Sequence, residues 1–240
     1  EGLDKPVIAR GSQIPLVEFR SDGQANLLTS LYLCARYPIP EVMVFFNNML
    51  LRGNRSVKAR ADSFDAFISP NAPPLLQAGI RISQLDLPPG PSSLSVSCDA
   101  RSLVVHRITE QPIAVVMMYP GISPDVIKNT VRQPVKAIIL LSFGVGNASQ
   151  SPLLLHWIEE AVQRGVIVIN LTQCLWGSVS MSDYATGHAL ADIGVLSGHD
   201  MTVEATLAKL HYVLSLERSI DEVRALMQRD LRGEITIGDS

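Results

Sequence analysis

The sequence predicts an α/β protein of two domains, the second built on a parallel, doubly wound sheet. Three observations carry this. In residues 112–172 three apolar, strand-like runs alternate with two amphipathic, helix-like ones across short links. The first half mixes strand and helix patterns in the same way. Between the halves lie a proline-rich stretch, "LDLPPGPSS", and a short strand-like "SLVVHRI", which set a boundary near 105–112 and the domains at 1–108 and 109–240.

The elements follow in order. "KPVIARGS" reads as a short strand, "GQANLLTSLYLCAR" as a helix, and "EVMVFFNNML" as a strand that turns at Asn47-Asn48. "IAVVMMYPGI" is a continuous apolar run, expected of a strand buried on both faces. In "SPDVIKNTVRQ", Ser123 is positioned to cap a helix and Pro124 suits its first position, where the missing N–H has no partner to lose. "KAIILLSF" is a second buried strand. "SPLLLHWIEEAVQRG" repeats the logic with Ser151 as cap and Pro152 after it. It places Leu154, Trp157, Ile158, Ala161 and Val162 on one face and Gly165 as a left-handed stop. "VIVINLT" is the third strand. Such alternation implies parallel pairing through right-handed crossovers. Sheets of this kind bind ligands beyond the carboxyl ends of their strands, here Tyr119-Pro120-Gly121, Phe143 to Asn147, and Asn170 to Gln173. "DMTVEATLAKLHYVLSLE" reads as a helix capped by Asp200. "SIDEVRALMQRDLRG" reads as a last helix, with Ser219 and Glu222 as a capping box and Gly233 as terminator.

Composition narrows the function. A net charge of −3 over 240 residues argues against a nucleic-acid protein, which needs a basic face. No apolar run reaches the roughly 18 residues of a membrane helix, and a cytoplasmic location is expected. Cys34, Cys98 and Cys174 are odd in number and far apart, as expected of reduced thiols. The five histidines show no metal-ligand spacing, so no metal site is expected. "EGLDKPVIARGSQ" reads as the end of a loop running into a strand, and the sequence is expected to start inside a larger protein.

Few residues suggest chemistry. "GVGN" at 144–147 lacks the longer phosphate-binding fingerprint; it is either a plain strand-to-helix turn or a turn that presents the Asn147 amide at the sheet's open end. Ser12, in Gly11-Ser12-Gln13, has no triad-like histidine nearby and suits a polar substrate contact better than a nucleophile. Arg52, Arg55, Lys58 and Arg60 fall within nine positions, directly after an apolar run. Either they form a wet loop, or one of them points into a site. A lysine accepts protons when burial or neighbours lower its pKa, which spacing alone does not reveal.

"GSQIPLVEFRSDGQANL", "FFNNMLLRGNRSVKARADSFDAFISPN", "YPGIS", "FGVGNA", "NLTQC", "YATGHALADIGVLSG" and "DMTVEATLAKLHYVLS" closely resemble the bacterial type I (cytoplasmic) L-asparaginases, collinearly along almost the whole chain. The likeness extends more loosely to animal lysophospholipase-like proteins and to an archaeal amidotransferase subunit. The resemblance implies a two-domain asparaginase-like enzyme, without metal or organic cofactor, that hydrolyses L-asparagine to aspartate and ammonia. In that family a threonine hydroxyl attacks the side-chain amide, and a second threonine, an aspartate and a lysine relay protons. The lysine corresponds to Lys58, which is then the cation expected to point inward, while Arg52, Arg55 and Arg60 remain solvated or ion-paired. Ser12 corresponds to a residue lining the substrate pocket. Asn147 corresponds to one that reaches the substrate's amino end from a neighbouring subunit. A homodimer or homotetramer is implied.

The departures are as informative. The family's nucleophile sits in a Thr-Gly-Gly-Thr turn and its second threonine and aspartate in Gly-Thr-Asp-Thr; neither stretch occurs in these 240 residues. The first sheet is therefore expected to be incomplete and the chain by itself inactive. Arg10 stands where the family usually has threonine, and Leu141 where regulated members carry an effector-holding arginine. Thr172 and Cys174 match other effector contacts, but Leu141 holds no carboxylate by charge, so allosteric control is doubtful. The rival expectations are a non-catalytic binding or oligomerisation module, and an amidase of the same fold acting on glutamine or a lysolipid.

Overall fold

The computed structural model describes residues 2–84, 103–149, 151–181 and 185–237. The chain divides into two compact units, Glu1–His106 and Arg107–Ser240. The proline-rich stretch at 85–93 and Cys98 lie outside the described residues; Cys34 and Cys174 are free thiols.

Among the described residues the first unit is a five-stranded mixed sheet with one α-helix. Its strands are β1 (Val7–Arg10), β2 (Val42–Phe46), β3 (Met49–Arg52), β6 (Leu76–Ala78) and β7 (Ile82–Gln84), in the order β1-β2-β3-β6-β7. Helix α1 (Gly23–Arg36) joins β1 to the parallel β2. β2 and β3 form a hairpin whose two-residue turn, Asn47 and Asn48, has positive φ at both positions, 44° and 63°. That geometry matches the right-handed twist of the strands, and asparagine tolerates it better than most residues. A two-stranded ribbon of β4 (Val57–Lys58) and β5 (Phe67–Ile68) stands apart from the sheet. The core is Leu33, Met43, Phe45, Leu50, Leu75 and Leu76.

The second unit is a parallel sheet of β8 (Ile113–Met117), β9 (Ala137–Ser142), β10 (Ile167–Thr172) and β11 (Leu196–Ser197), in the order β11-β10-β9-β8. Alternate residues of the central strands feed two cores. Ile138, Leu140 and Val168 pack with residues of α2 (Pro124–Thr130), α3 (Pro152–Gln163) and α4 (Ala185–Asp192). Ala137, Ile139, Ile167 and Ile169 pack with α5 (Val203–Leu214) and α6 (Ile220–Met227). With helices on both faces, the sheet is doubly wound, as the alternation of runs predicts.

Local sequence signals agree with the structure at Ser123, which accepts from Asp125 N, at Gly165 (φ 92°) behind α3, and at the Ser219–Glu222 capping box of α6. Five expectations need correction. Residues 103–112 form no strand. β8 is an edge strand with Val115 and Met117 exposed, so it is not buried on both faces. Ser151 occupies the N-cap position of α3, but its side chain makes no capping bond. Thr202 caps α5, accepting from Ala205 N at 3.1 Å, because the buried Asp200 accepts instead from Thr236 N at 2.7 Å. α6 ends at Met227, six residues before Gly233.

Candidate functional site

In the first unit the Gly11-Ser12-Gln13 turn is held from the start of α1. The Asp22 carboxylate accepts from Gln13 N (2.9 and 3.1 Å) and Ile14 N (3.1 Å). Asn26 Nδ2 donates to Gly11 O (2.9 Å) and to Asp22 Oδ2 (3.0 Å). Asp22 occupies the N-cap position of α1 yet makes no cap bond; its oxygens serve the turn. A carboxylate at the start of α1 is the available signal, but it points equally to capping. Gly23 permits the close approach: a Cβ there would lie 3.0–3.2 Å from Leu16, Ser21 and Ser12.

Gln13 carries the turn onto the ribbon, with Nε2 donating to Ala61 O (3.0 Å) and Ser63 O (2.9 Å). Lys58 lies in that ribbon, paired across from Phe67. Two aromatic rings link the pieces. A Cβ on Gly11 would sit 3.6 Å from Phe46, Phe46 meets Phe67 at 5.2 Å between centroids, and Lys58 Nζ is 5.9 Å from the Phe67 centroid. Gly11, Phe46, Phe67 and Lys58 thus follow one another in space, with Ser12 partly buried beside Gly11 and Lys58 exposed.

The four cations are sorted differently from the expectation. Lys58 is exposed, whereas Arg52 and Arg55 are buried. Arg52 is ion-paired as expected, but inside the protein: its Nε and Nη2 meet the two oxygens of Glu41 at 2.6 and 3.1 Å. Arg60 pairs with Asp65 at the surface. The cause is the hairpin, which sets β3 beside β2 so that Arg52 lies opposite Met43, close to Glu41. The β4–β5 ribbon has two residues per strand and, among the described residues, no third strand over it.

In the second unit, the carboxyl ends of β9 and β10 meet in one tight turn. Phe143 and Asn147 bridge each other, N to O in both directions (2.8 and 2.9 Å). Between them Gly144 and Gly146 adopt φ of 50° and 115°. A Cβ on Gly146 would come within 2.7 Å of Val179, so this position takes no side chain on two grounds. Thr172 Oγ1 donates to Gly144 O (2.5 Å) and accepts from Cys174 N (3.0 Å). Its hydroxyl proton is committed to the main chain, leaving one acceptor lone pair for any ligand. Gln173 Nε2 ties the end of β8 to β9 through Met118 O (2.6 Å) and Leu141 O (2.8 Å). Leu141 packs against the apolar core shared with α5 and α6. Asn170, Thr172 and Gln173 thus stitch these ends together. Their place at the strand ends is legible in the sequence, whereas the part of Asn170 is not. Among the described residues no group of three His, Cys, Asp or Glu is placed to hold a metal ion, and no helix is long and apolar enough to cross a membrane.

The geometry can be set against known proteins. The N-terminal asparaginase domain matches residues 1–87, and the glutaminase/asparaginase C-terminal domain matches residues 112–227. L-asparaginase 1 of Escherichia coli is 59% identical over 239 residues, covering 100% of this chain and 69% of that protein. The chain belongs to the asparaginase family. The crystal structure of L-asparaginase I from Vibrio cholerae superimposes with a TM-score of 0.90 at 59% identity, covering 99% of this chain and 70% of that one. These likenesses place the chain among the type I asparaginases, with their two-domain α/β fold. The 60 kDa lysophospholipase of Mus musculus is also similar, at 42% identity over 238 residues, but the chain covers 41% of that protein. Against the usual asparaginase pattern, Arg10 ends β1 exposed, and Leu141 is an apolar residue of β9.

Proposed function

We propose that this chain is the larger part of an asparagine-hydrolysing enzyme whose nucleophile lies in a segment outside these 240 residues, and that the chain by itself is inactive. The observation that carries the reading is the 59% identity to L-asparaginase 1, sustained over the whole chain, combined with the lack of either threonine motif in the sequence. The chemistry follows from the roles that the resemblance gives. A threonine hydroxyl adds to the side-chain amide carbon of L-asparagine once its proton is taken up. Ammonia leaves with a returned proton, and water then hydrolyses the ester to release aspartate. Lys58 takes the threonine proton through a bridging hydroxyl, Ser12 lines the pocket, and Asn147 meets the substrate's amino end. Lys58 is exposed in this chain. A lysine serves as a proton acceptor only when desolvated or set beside other charges, so the segment bearing the nucleophile must also cover the ribbon. Gln13 supports the arrangement, since it fixes the Ser12 turn to the loop that follows Lys58.

The enzyme acts in the cytoplasm without a cofactor, as a homodimer or homotetramer. Exposed Leu175 and Trp176 follow the β10 end that braces the Asn147 turn, and they give a second copy apolar surface to cover. Thr172 and Cys174 are effector contacts at most in a weakened form, because Leu141 brings no charge.

The test is ammonia release from asparagine, glutamine and a lysolipid panel. The purified chain is expected to release none. Joined to the unmatched part of Escherichia coli L-asparaginase 1, it is expected to hydrolyse asparagine, and Lys58→Met in that protein is expected to lower kcat by about 10²–10⁴. Turnover by the 240-residue chain alone would refute its inactivity; an inert joined protein, or full activity with Lys58→Met, would refute the mechanism.

A further inference from the structure

We infer that Asn170, seconded by Thr172, is a positioning residue: it fixes the Gly144–Gly146 turn and so sets the direction in which Asn147 is presented. This rests on the reading above that Asn147 meets the substrate.

All three carbonyls of the turn are claimed by one stretch of chain. Thr172 Oγ1 donates to Gly144 O (2.5 Å), Ser180 N to Val145 O (2.9 Å), and Asn170 Nδ2 to Gly146 O (2.9 Å). Asn170 and Thr172 lie two residues apart on β10, so both project from the same face of the strand. They take the carbonyls of the two glycines, whose positive φ turns them away from a regular strand.

Asn170 is wholly buried, and around it β10 reads Ile-Val-Ile and Leu. Its Oδ1 is buried and accepts from no described residue, while Nδ2 also lies 3.3 Å from Met181 Sδ. A half-satisfied amide is a costly choice for the middle of a sheet, where an aliphatic side chain packs without penalty. What the amide gains is the grip on Gly146. An aliphatic residue leaves that carbonyl without its donor, and a carboxylate at the same place faces it with like charge. Gly146 is itself buried and closely met by Asn170 Nδ2, at 3.1 Å from an added Cβ. A shift of the amide therefore moves the turn. Asn147 follows directly, and its backbone is locked to Phe143 through both N and O. The turn has no slack in which to absorb such a shift.

Two measurements test this. In the 240-residue chain, hydrogen–deuterium exchange at Gly146 and Asn147, whose amides both donate to Phe143 O, is expected to be about tenfold faster in Asn170→Asp and Asn170→Leu, with β9 and β10 amides unchanged. In the joined protein that hydrolyses asparagine, the same variants are expected to raise KM about tenfold with kcat held within about threefold. Thr172→Val, at a half-buried site, is expected to shift exchange and KM in the same directions, and it decides the matter should the Asn170 variants not fold. Unchanged exchange at the turn, faster exchange throughout the second unit, or a fall in kcat at constant KM would each reduce Asn170 to an ordinary core residue. An unsubstituted joined protein that does not hydrolyse asparagine overturns the functional reading instead, and the exchange experiment still decides this one.

Discussion

Arg52 and Glu41 show how much one pair contributes inside the first unit. Their side chains are each 9% exposed and meet through two bonds, a fork-to-carboxylate geometry that a lysine does not reproduce. Attraction between the charges is offset by the cost of removing both from water, so the pair as a whole is worth little against well-packed apolar residues. Breaking it is a different matter, because the survivor stays buried and charged. Arg52→Ala is expected to cost about 3–5 kcal/mol in urea unfolding. Arg52→Met combined with Glu41→Met is expected to cost clearly less than Arg52→Ala. A double variant as unstable as the single one would show that the two residues act independently, against this account. Lys58 is the opposite case. It is exposed, with its Nζ 5.9 Å from the centre of the Phe67 ring, and is expected to tolerate Lys58→Met without loss of stability.

At the scale of elements, the clearest device is the strap that follows α6. Lys209, on the buried face of α5, donates to Met227 O (3.1 Å) and Arg229 O (2.5 Å) and pairs with Glu234 at 2.6 Å. The Glu234 carboxylate also accepts from Leu231 N and Arg232 N. Burial pushes the Glu234 carboxyl up, but the Lys209 ammonium and the main-chain amides outweigh it and hold it below the usual carboxylate range. A carboxyl depressed by folding stabilises the protein fully above its unfolded pKa of about 4.3, and that contribution fades as pH falls through the folded value. Urea stability is therefore expected to drop as pH falls below about 4, and to drop less in a variant carrying both Lys209→Met and Glu234→Leu. Equal acid sensitivity in the two proteins would remove the strap from the explanation. This strap also shows where sequence reading stops. The α1 limits, the Asn47-Asn48 turn, the Ser123 cap and the Ser219–Glu222 box were legible because each depends on residues within a few positions. Thr202 displaced Asp200 as the α5 cap because Thr236, 36 residues away, claims Asp200. Arg52 went inside and Lys58 did not because Glu41 lies across a hairpin. The exposure of Val115 and Met117 depends on how far α5 and α6 extend over the sheet. The hold of Asp22 on the Ser12 turn exists only once the turn folds back against the start of α1.

At the scale of the whole molecule, the two units differ in what holds them. Among the described residues the first is centred on six buried apolar side chains, the second on clusters of fourteen and eleven on the two faces of its sheet. Burial of apolar area is the main favourable term in folding, and small cores are correspondingly marginal. The first unit also leaves apolar side chains in water: Val17 and Phe19 are 92% and 93% exposed, and Leu28, Leu31 and Tyr32 line an outer face of α1. Among the described residues β1 ends the sheet with one edge unpaired, a kind of site where other chains pair. The units are therefore expected to unfold in separate steps, the first unit at lower urea. Two probes separate them without substitution, since both tryptophans, Trp157 and Trp176, belong to the second unit. Circular dichroism, which reports both units, is expected to begin its loss at a urea concentration where tryptophan fluorescence is unchanged. Joining the chain to the unmatched part of Escherichia coli L-asparaginase 1 is expected to bring the two curves together. Coincident transitions in the 240-residue chain would mean that its small core is no weaker than the large ones, and the link drawn here between buried apolar area and the order of unfolding would fail.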